Sequence, residues 1–137
     1  MPANHIARQL ESRPDLRIGD FGCGECLLAK ALPDHDVVGL DHHADNDSVI
    51  VCDMAHAPLD DNSLDAAVFS LSLIGLNWVE YLQEARRVLK SYGLLFVAEP
   101  AGQWDDLTQT LSSNGFDVVR SEVRGKFIYV RAEKADY

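Results

Sequence analysis

Six acidic or hydroxyl side chains and a glycine pair fall at places where an open α/β sheet would gather them. Asp20-Phe21-Gly22-Cys23-Gly24 follows a short apolar segment. Glycines there let the backbone come close to a ligand at a helix N-terminus. A tight strand-to-helix turn with no ligand has the same two glycines, so the pair alone does not decide. Asp20 adds a constraint. A carboxylate repels a pyrophosphate and attracts an ammonium or a sulfonium, so Asp-x-Gly-x-Gly suits S-adenosylmethionine better than a dinucleotide. Asp41 lies about 20 residues beyond the glycines, where a carboxylate can accept both ribose hydroxyl hydrogens. Asp53 and Met54 follow a further apolar run. The aspartate could accept from an adenine amino group and the methionine could pack on the ring. A helix-capping aspartate beside a core methionine explains the same pair. Ser70, Ser72 and Glu99 complete the set.

The elements that must position these residues are legible from apolar periodicity and punctuation. Ile6 and Leu10 suggest a short amphipathic helix ending near Pro14. Strands are predicted at 16–21, 36–41, 48–52, 66–74 and 94–98. Helices are predicted at 25–32, with Leu27, Leu28, Ala31 and Leu32 buried, at 78–90 with Asn77 as cap and Lys90 at the negative end of the dipole, and at 104–113. Segments 116–123 and 126–132, with Arg124-Gly125 between them, predict a terminal antiparallel hairpin. Alternating strands and helices require right-handed crossovers and a mainly parallel, twisted sheet with helices on both faces. Ligands of such sheets bind beyond the C-terminal strand ends. That is where Asp20, Gly22, Gly24, Asp41, Asp53, Ser70 and Glu99 are expected.

The motifs also resemble a known family. Asp20-Phe21-Gly22-Cys23-Gly24-Glu25-Cys26, Val51-Cys52-Asp53-Met54-Ala55 and Ala67-Val68-Phe69-Ser70-Leu71-Ser72-Leu73 look like the methyltransferase domain of the ribosomal RNA-processing protein 8 family. Glu84-Ala85-Arg86-Arg87-Val88-Leu89-Lys90 and Val97-Ala98-Glu99 continue the likeness, which runs from about Leu10 to the C-terminus. The resemblance implies a Rossmann-like class I methyltransferase fold and S-adenosylmethionine as cofactor. It also implies cofactor contacts at Gly22, Asp41, Asp53, Met54 and Ser70. Eukaryotic members methylate N1 of an adenine in large-subunit ribosomal RNA. The family carries a covering segment before the first strand, rich in Tyr, His, Gly, Phe and Arg, which this chain is expected to lack. A second copy in a homodimer could supply such a cover. The family's Lys-Pro-Gly-Gly turn is here Lys90-Ser91-Tyr92-Gly93. A cofactor-binding or protein-interaction module that does not turn over is the alternative.

Composition bounds the rest. The 137 residues carry a net charge of −10 and are 47% hydrophobic, which suits one domain with a real core. Such a charge disfavours a phosphate backbone as partner. Lys90, Arg120, Arg124, Lys126, Arg131 and Lys134 make the C-terminal third less acidic, either as an ordinary solvated surface or as an RNA contact. The longest apolar stretch, 66–76, is too short to span a bilayer. Three cysteines and no export signal point to the cytoplasm. Cys23 and Cys26 form a Cys-x-x-Cys, but no second such pair is present, so a metal site is not expected. In-line methyl transfer needs alignment more than a strong base. Ser72 and Glu99 are the candidate catalytic side chains.

Overall fold

A computed structural model describes residues 2–44, 46–73, 78–102 and 106–135. The chain runs α1 (Pro2–Leu10), β1 (Arg17–Phe21), α2 (Leu27–Ala31), β2 (Asp36–Asp41), β3 (Val49–Val51) and β4 (Leu64–Ser70). It continues with α3 (Trp78–Val88), β5 (Leu89–Pro100), α4 (Leu107–Ser113), β6 (Phe116–Arg124) and β7 (Phe127–Lys134). The strands form one seven-stranded sheet in the order β3-β2-β1-β4-β5-β7-β6. β1 to β5 pair in parallel, and β7 runs antiparallel between β5 and β6. The order reverses at β1, which is where an open sheet presents its ligand crevice.

Strand alternation divides the core. Ile18, Ala66, Val68, Phe96 and Ala98 pack with Ile6, Leu10, Leu28 and Leu32, so α1 and α2 cover one face. Phe21, Ala67, Phe69, Leu95 and Val97 pack with Leu82, Ala85, Val88, Leu107 and Leu111, so α3 and α4 cover the other. Phe21 and Phe69 stack across neighbouring strands with ring centroids 5.0 Å apart. Burying side chains of this size contributes about 1.5–3 kcal/mol each.

Several boundaries differ from the sequence expectation. α2 begins at Leu27 because Cys26 takes a left-handed conformation with φ 61°, which a continuing helix excludes. The shorter helix turns Leu27 and Ala31 outward, while Leu28 and Leu32 remain buried. β4 stops at Ser70, because Leu71 has φ 58°; the expected strand end, Ile74, lies outside the described residues. α3 passes directly into β5, so Leu89 and Lys90 are strand residues. Lys90 therefore does not complement the helix dipole. Its Nζ lies 3.0 Å from Oδ1 of Asp65. The last turn of α3 carries Arg86 and Arg87 instead. The expected cap Asn77 and the expected helix start at Trp104 lie outside the described residues.

Candidate functional site

The turn after β1 is built around Gly22. Its φ of 77° suits glycine, and its N–H donates to the Leu40 carbonyl at 2.7 Å. A Cβ added there would stand 2.5 Å from Ser72 Cβ and 3.6 Å from Met54 Sδ. Gly22 is thus the point where β1, the segment after β3 and the segment after β4 converge. Gly24 donates its N–H to Oδ2 of Asp41 at 2.9 Å, which ties the turn to the end of β2.

Asp20 is 4% exposed and lines a cavity of about 140 Å³ with Gly22, Ser70, Leu71, Leu27 and Pro2. Burial, and then the nearby charge of Asp41, push its carboxyl up to about 7. A second, more open cavity of about 420 Å³ lies past β3 and is lined by His42, Val51, Cys52, Asp53, Met54 and Tyr81. Asp53 is exposed and its Oδ1 accepts the Ala55 N–H at 2.9 Å, while Met54 is buried. Gly22 lies between the two cavities: it lines the first, and a Cβ there would touch Met54 of the second.

Asp41 lines neither cavity. Its Oδ1 lies 3.2 Å from His42 Nδ1 and accepts the His43 N–H at 3.4 Å. It reaches the site through Gly24 and through its charge on Asp20. Ser72 is buried, and its Oγ has no hydrogen-bond partner among the described residues. Glu99 is 1% exposed and accepts the Leu73 N–H, while its Oε2 has no partner among the described residues. Burial pushes the Glu99 carboxyl up to about 7. Unpaired buried oxygens of this kind are costly in a finished core.

The sequence-derived residues therefore converge in two groups joined at Gly22: Asp20, Gly22 and Ser70 in one, Asp53 and Met54 in the other. Tyr81 and His42 were not among them. Tyr81 is identifiable in the sequence only as an apolar-face residue of α3, and His42 only as one of several histidines. Cys23 and Cys26 pack together with Sγ atoms 3.3 Å apart, Cys26 donating. Burial, followed by this contact, pushes the Cys23 thiol well above its ordinary range. Among the described residues, no three His, Cys, Asp or Glu side chains converge as a metal site. No helix among them is long and apolar enough to cross a membrane.

This strand order, with β7 inserted antiparallel beside β5 and the site at the C-terminal strand ends, is the class I fold of S-adenosylmethionine-dependent methyltransferases. A methyltransferase of that dependence from Aquifex aeolicus superposes with a TM-score of 0.80 at 17% identity, over 97% of this chain and 89% of that one. The 1,6-didemethyltoxoflavin-N1-methyltransferase of Burkholderia thailandensis, solved with S-adenosylhomocysteine, gives 0.80 at 16% identity, over 98% of this chain and 77% of that one.

The chain belongs to the family described as hypothetical methyltransferase, whose profile matches residues 1–136. It is 40% identical to ribosomal RNA-processing protein 8 of Mus musculus over 137 residues, which is 94% of this chain and 29% of the mouse protein. It is 36% identical to the 25S rRNA (adenine(645)-N(1))-methyltransferase of Schizosaccharomyces pombe, over 85% of this chain and 39% of that protein. The chain thus spans well under half the length of these relatives.

Proposed function

We propose that this chain transfers the methyl group of S-adenosylmethionine to N1 of an adenine in RNA. One observation carries the cofactor assignment: the buried Asp20 carboxyl lines a cavity and stands near a second carboxylate, Asp41. A cationic ligand would relieve that arrangement. The acceptor follows from the relatives' names, since the fission yeast protein methylates an rRNA adenine at N1.

The residues fit the cofactor by parts. Asp20 would hold the ammonium, and the cavity of about 140 Å³ lined by Asp20 and Gly22 would admit the chain of the methionine half. Ser70 would line that half of the pocket. Gly24 keeps Asp41 in place through the 2.9 Å hydrogen bond. Oδ1 of Asp41 would then accept from the ribose. Asp53 would accept from the adenine amino group, with Met54 and Tyr81 packed against the ring. When bound, the cofactor supplies an activated methyl and a neutral leaving group.

An adenine N1 lone pair needs no prior deprotonation, so the chain's task is alignment and charge stabilisation. Glu99 Oε2 and Ser72 Oγ are buried and have no partner among the described residues. They would accept hydrogen bonds from the exocyclic amino group of the acceptor, whose acidity rises as the ring becomes cationic. The test is incubation with methyl-labelled S-adenosylmethionine and RNA, followed by nucleoside analysis. Label in N1-methyladenosine that disappears in Asp41→Ala supports the reading. Cofactor binding without transfer to any RNA assigns the chain to a non-catalytic binding module instead.

A further inference from the structure

We infer that the face of the β6–β7 hairpin beside α1 is the track along which the RNA strand approaches the site; this rests on the proposed RNA acceptor. The face exists because of a β-bulge between Val118 and Arg120. Before the bulge, Phe116 and Val118 point into the core shared with α3 and α4. After it the alternation is inverted, as a one-residue slip demands. Arg120 then pairs opposite Arg131, Glu122 opposite Tyr129, and Arg124 opposite Phe127. All six therefore share the face on which Arg131 lies 5.6 Å from the centroid of the Phe96 ring. His5 of α1 joins them, 4.2 Å from Tyr129 between ring centroids and 3.7 Å from a Glu122 oxygen.

The charge of this face is opposite to that of the chain. Arg120, Arg124, Arg131 and the exposed Arg8 of α1 gather in a protein of net charge −10. Their proximity is visible at His5. Burial holds its imidazole below the usual range, Arg124, Arg8 and Arg120 act in the same sense, and Glu122 opposes them. Arg131 is partly exposed, and its buried Nε has no hydrogen-bond partner among the described residues. Tyr129 and Phe127 stand along the same line with centroids 6.4 Å apart, and both are partly exposed. Arginine and aromatic side chains interleaved on a sheet face suit single-stranded RNA, whose bases stack while its phosphates pair.

Direction completes the case. Phe127 pairs opposite Pro100, and the Ala101 N–H donates to the Lys126 carbonyl at 2.9 Å. The hairpin tip, with Arg124 and Lys126, therefore stands beside the end of β5 that carries Glu99. At the far end, Asp117 pairs opposite Glu133 and the face turns acidic. From Arg131 to Phe127 the track is about 13 Å long at roughly 3.3 Å per residue. A strand held there reaches the rim where β5 ends; Glu99, opposite Ile128, faces the α3–α4 side, so the target base would turn over that rim to meet it.

The experiment follows binding of a fluorescent single-stranded RNA by anisotropy over a salt series, in the full chain and in Arg120→Gln/Arg124→Gln. Each single-strand phosphate contact contributes about 0.7 to the salt slope, so the double variant should lose about 1.4, and on the order of tenfold in affinity near 0.15 M salt. Arg120→Lys/Arg124→Lys should retain most of the affinity. Arg13→Gln, which removes a cation in the turn before β1, at the opposite rim of the sheet, should behave as the unaltered chain. Unchanged slope and affinity in the double Gln variant overturn the track. So does equal weakening in Arg13→Gln, or displacement of the RNA by polyglutamate as readily as by unlabelled RNA. Methyl transfer is read in the same samples. Transfer retained with unaltered binding in the double Gln variant removes the track alone. Binding that depends on the two arginines without transfer in any sample removes the proposed reaction alone.

Discussion

The Gly24 N–H donates to Oδ2 of Asp41 at 2.9 Å, joining the turn after β1 to the end of β2. One carboxylate is thereby oriented by the same loop that opens the pocket. Asp41→Asn keeps an acceptor for Gly24 but removes the charge and one acceptor. Hydrogen bonds to charged groups contribute about 1.5–3 kcal/mol. S-adenosylmethionine affinity should therefore fall roughly tenfold to a hundredfold, with little change in thermal stability. Calorimetric titration and a melting curve check the two halves.

Gly22→Ala should be costly in both stability and binding. The φ of 77° disfavours any Cβ, and that Cβ would meet Ser72 Cβ at 2.5 Å. Left-handed strain and overpacking together cost about 2 kcal/mol or more. Denaturant unfolding should show a lower midpoint at an unchanged slope.

The fold was readable where local pattern and global topology agree. Strand–helix alternation placed Asp20, Asp41 and Glu99 near the C-terminal ends of β1, β2 and β5, which is where these residues stand in the strands. Two of the misplaced boundaries share a physical cause. Cys26 and Leu71 take positive φ, which nothing in their side chains announces. Tyr81 and His42 join the site because β3 and α3 enclose a cavity, a tertiary fact. Arg120 faces α1 because of a bulge, and a strict period of two places it on the other side.

Stability should fall as pH rises from about 4 to about 7. Asp20 and Glu99 have ordinary values of 3.8 and 4.5, and both are pushed up to about 7 by burial. Between those limits the folded chain binds more protons than the unfolded one, so the slope of unfolding free energy with pH is negative. The contribution is full below the ordinary values and is lost as pH passes the raised ones. Glu84, held below its ordinary value chiefly by Arg87, acts in the opposite sense and only at lower pH. In Asp20→Asn/Glu99→Gln the decline across this window should flatten, as thermal melts over a pH series will show.

Cofactor binding should release a proton in the same window. A cation beside Asp20 favours its ionised form, so affinity should rise toward pH 7. Titrations in two buffers of different ionisation heat measure the released proton directly, and Asp20→Asn should abolish it.

Glu84→Ala should destabilise by about 2 kcal/mol, less than the ~3–5 of a fully buried pair because Arg87 is partly exposed. Glu84 accepts the Ala57 N–H and two Arg87 hydrogen bonds at 2.7 and 2.8 Å. Arg87 in turn holds Asp61 and the Ala57 carbonyl. The loop after Met54 is thus pinned to α3. Chemical unfolding measures the loss.

The central claim is that Asp20, Gly22, Asp41 and Met54 surround one sulfonium nucleoside, and calorimetric titration of the folded chain with S-adenosylmethionine tests it most directly. The account requires saturable binding at one site per chain, weakened in Asp41→Asn. A folded chain that takes up no S-adenosylmethionine or S-adenosylhomocysteine, even at high micromolar ligand, contradicts it.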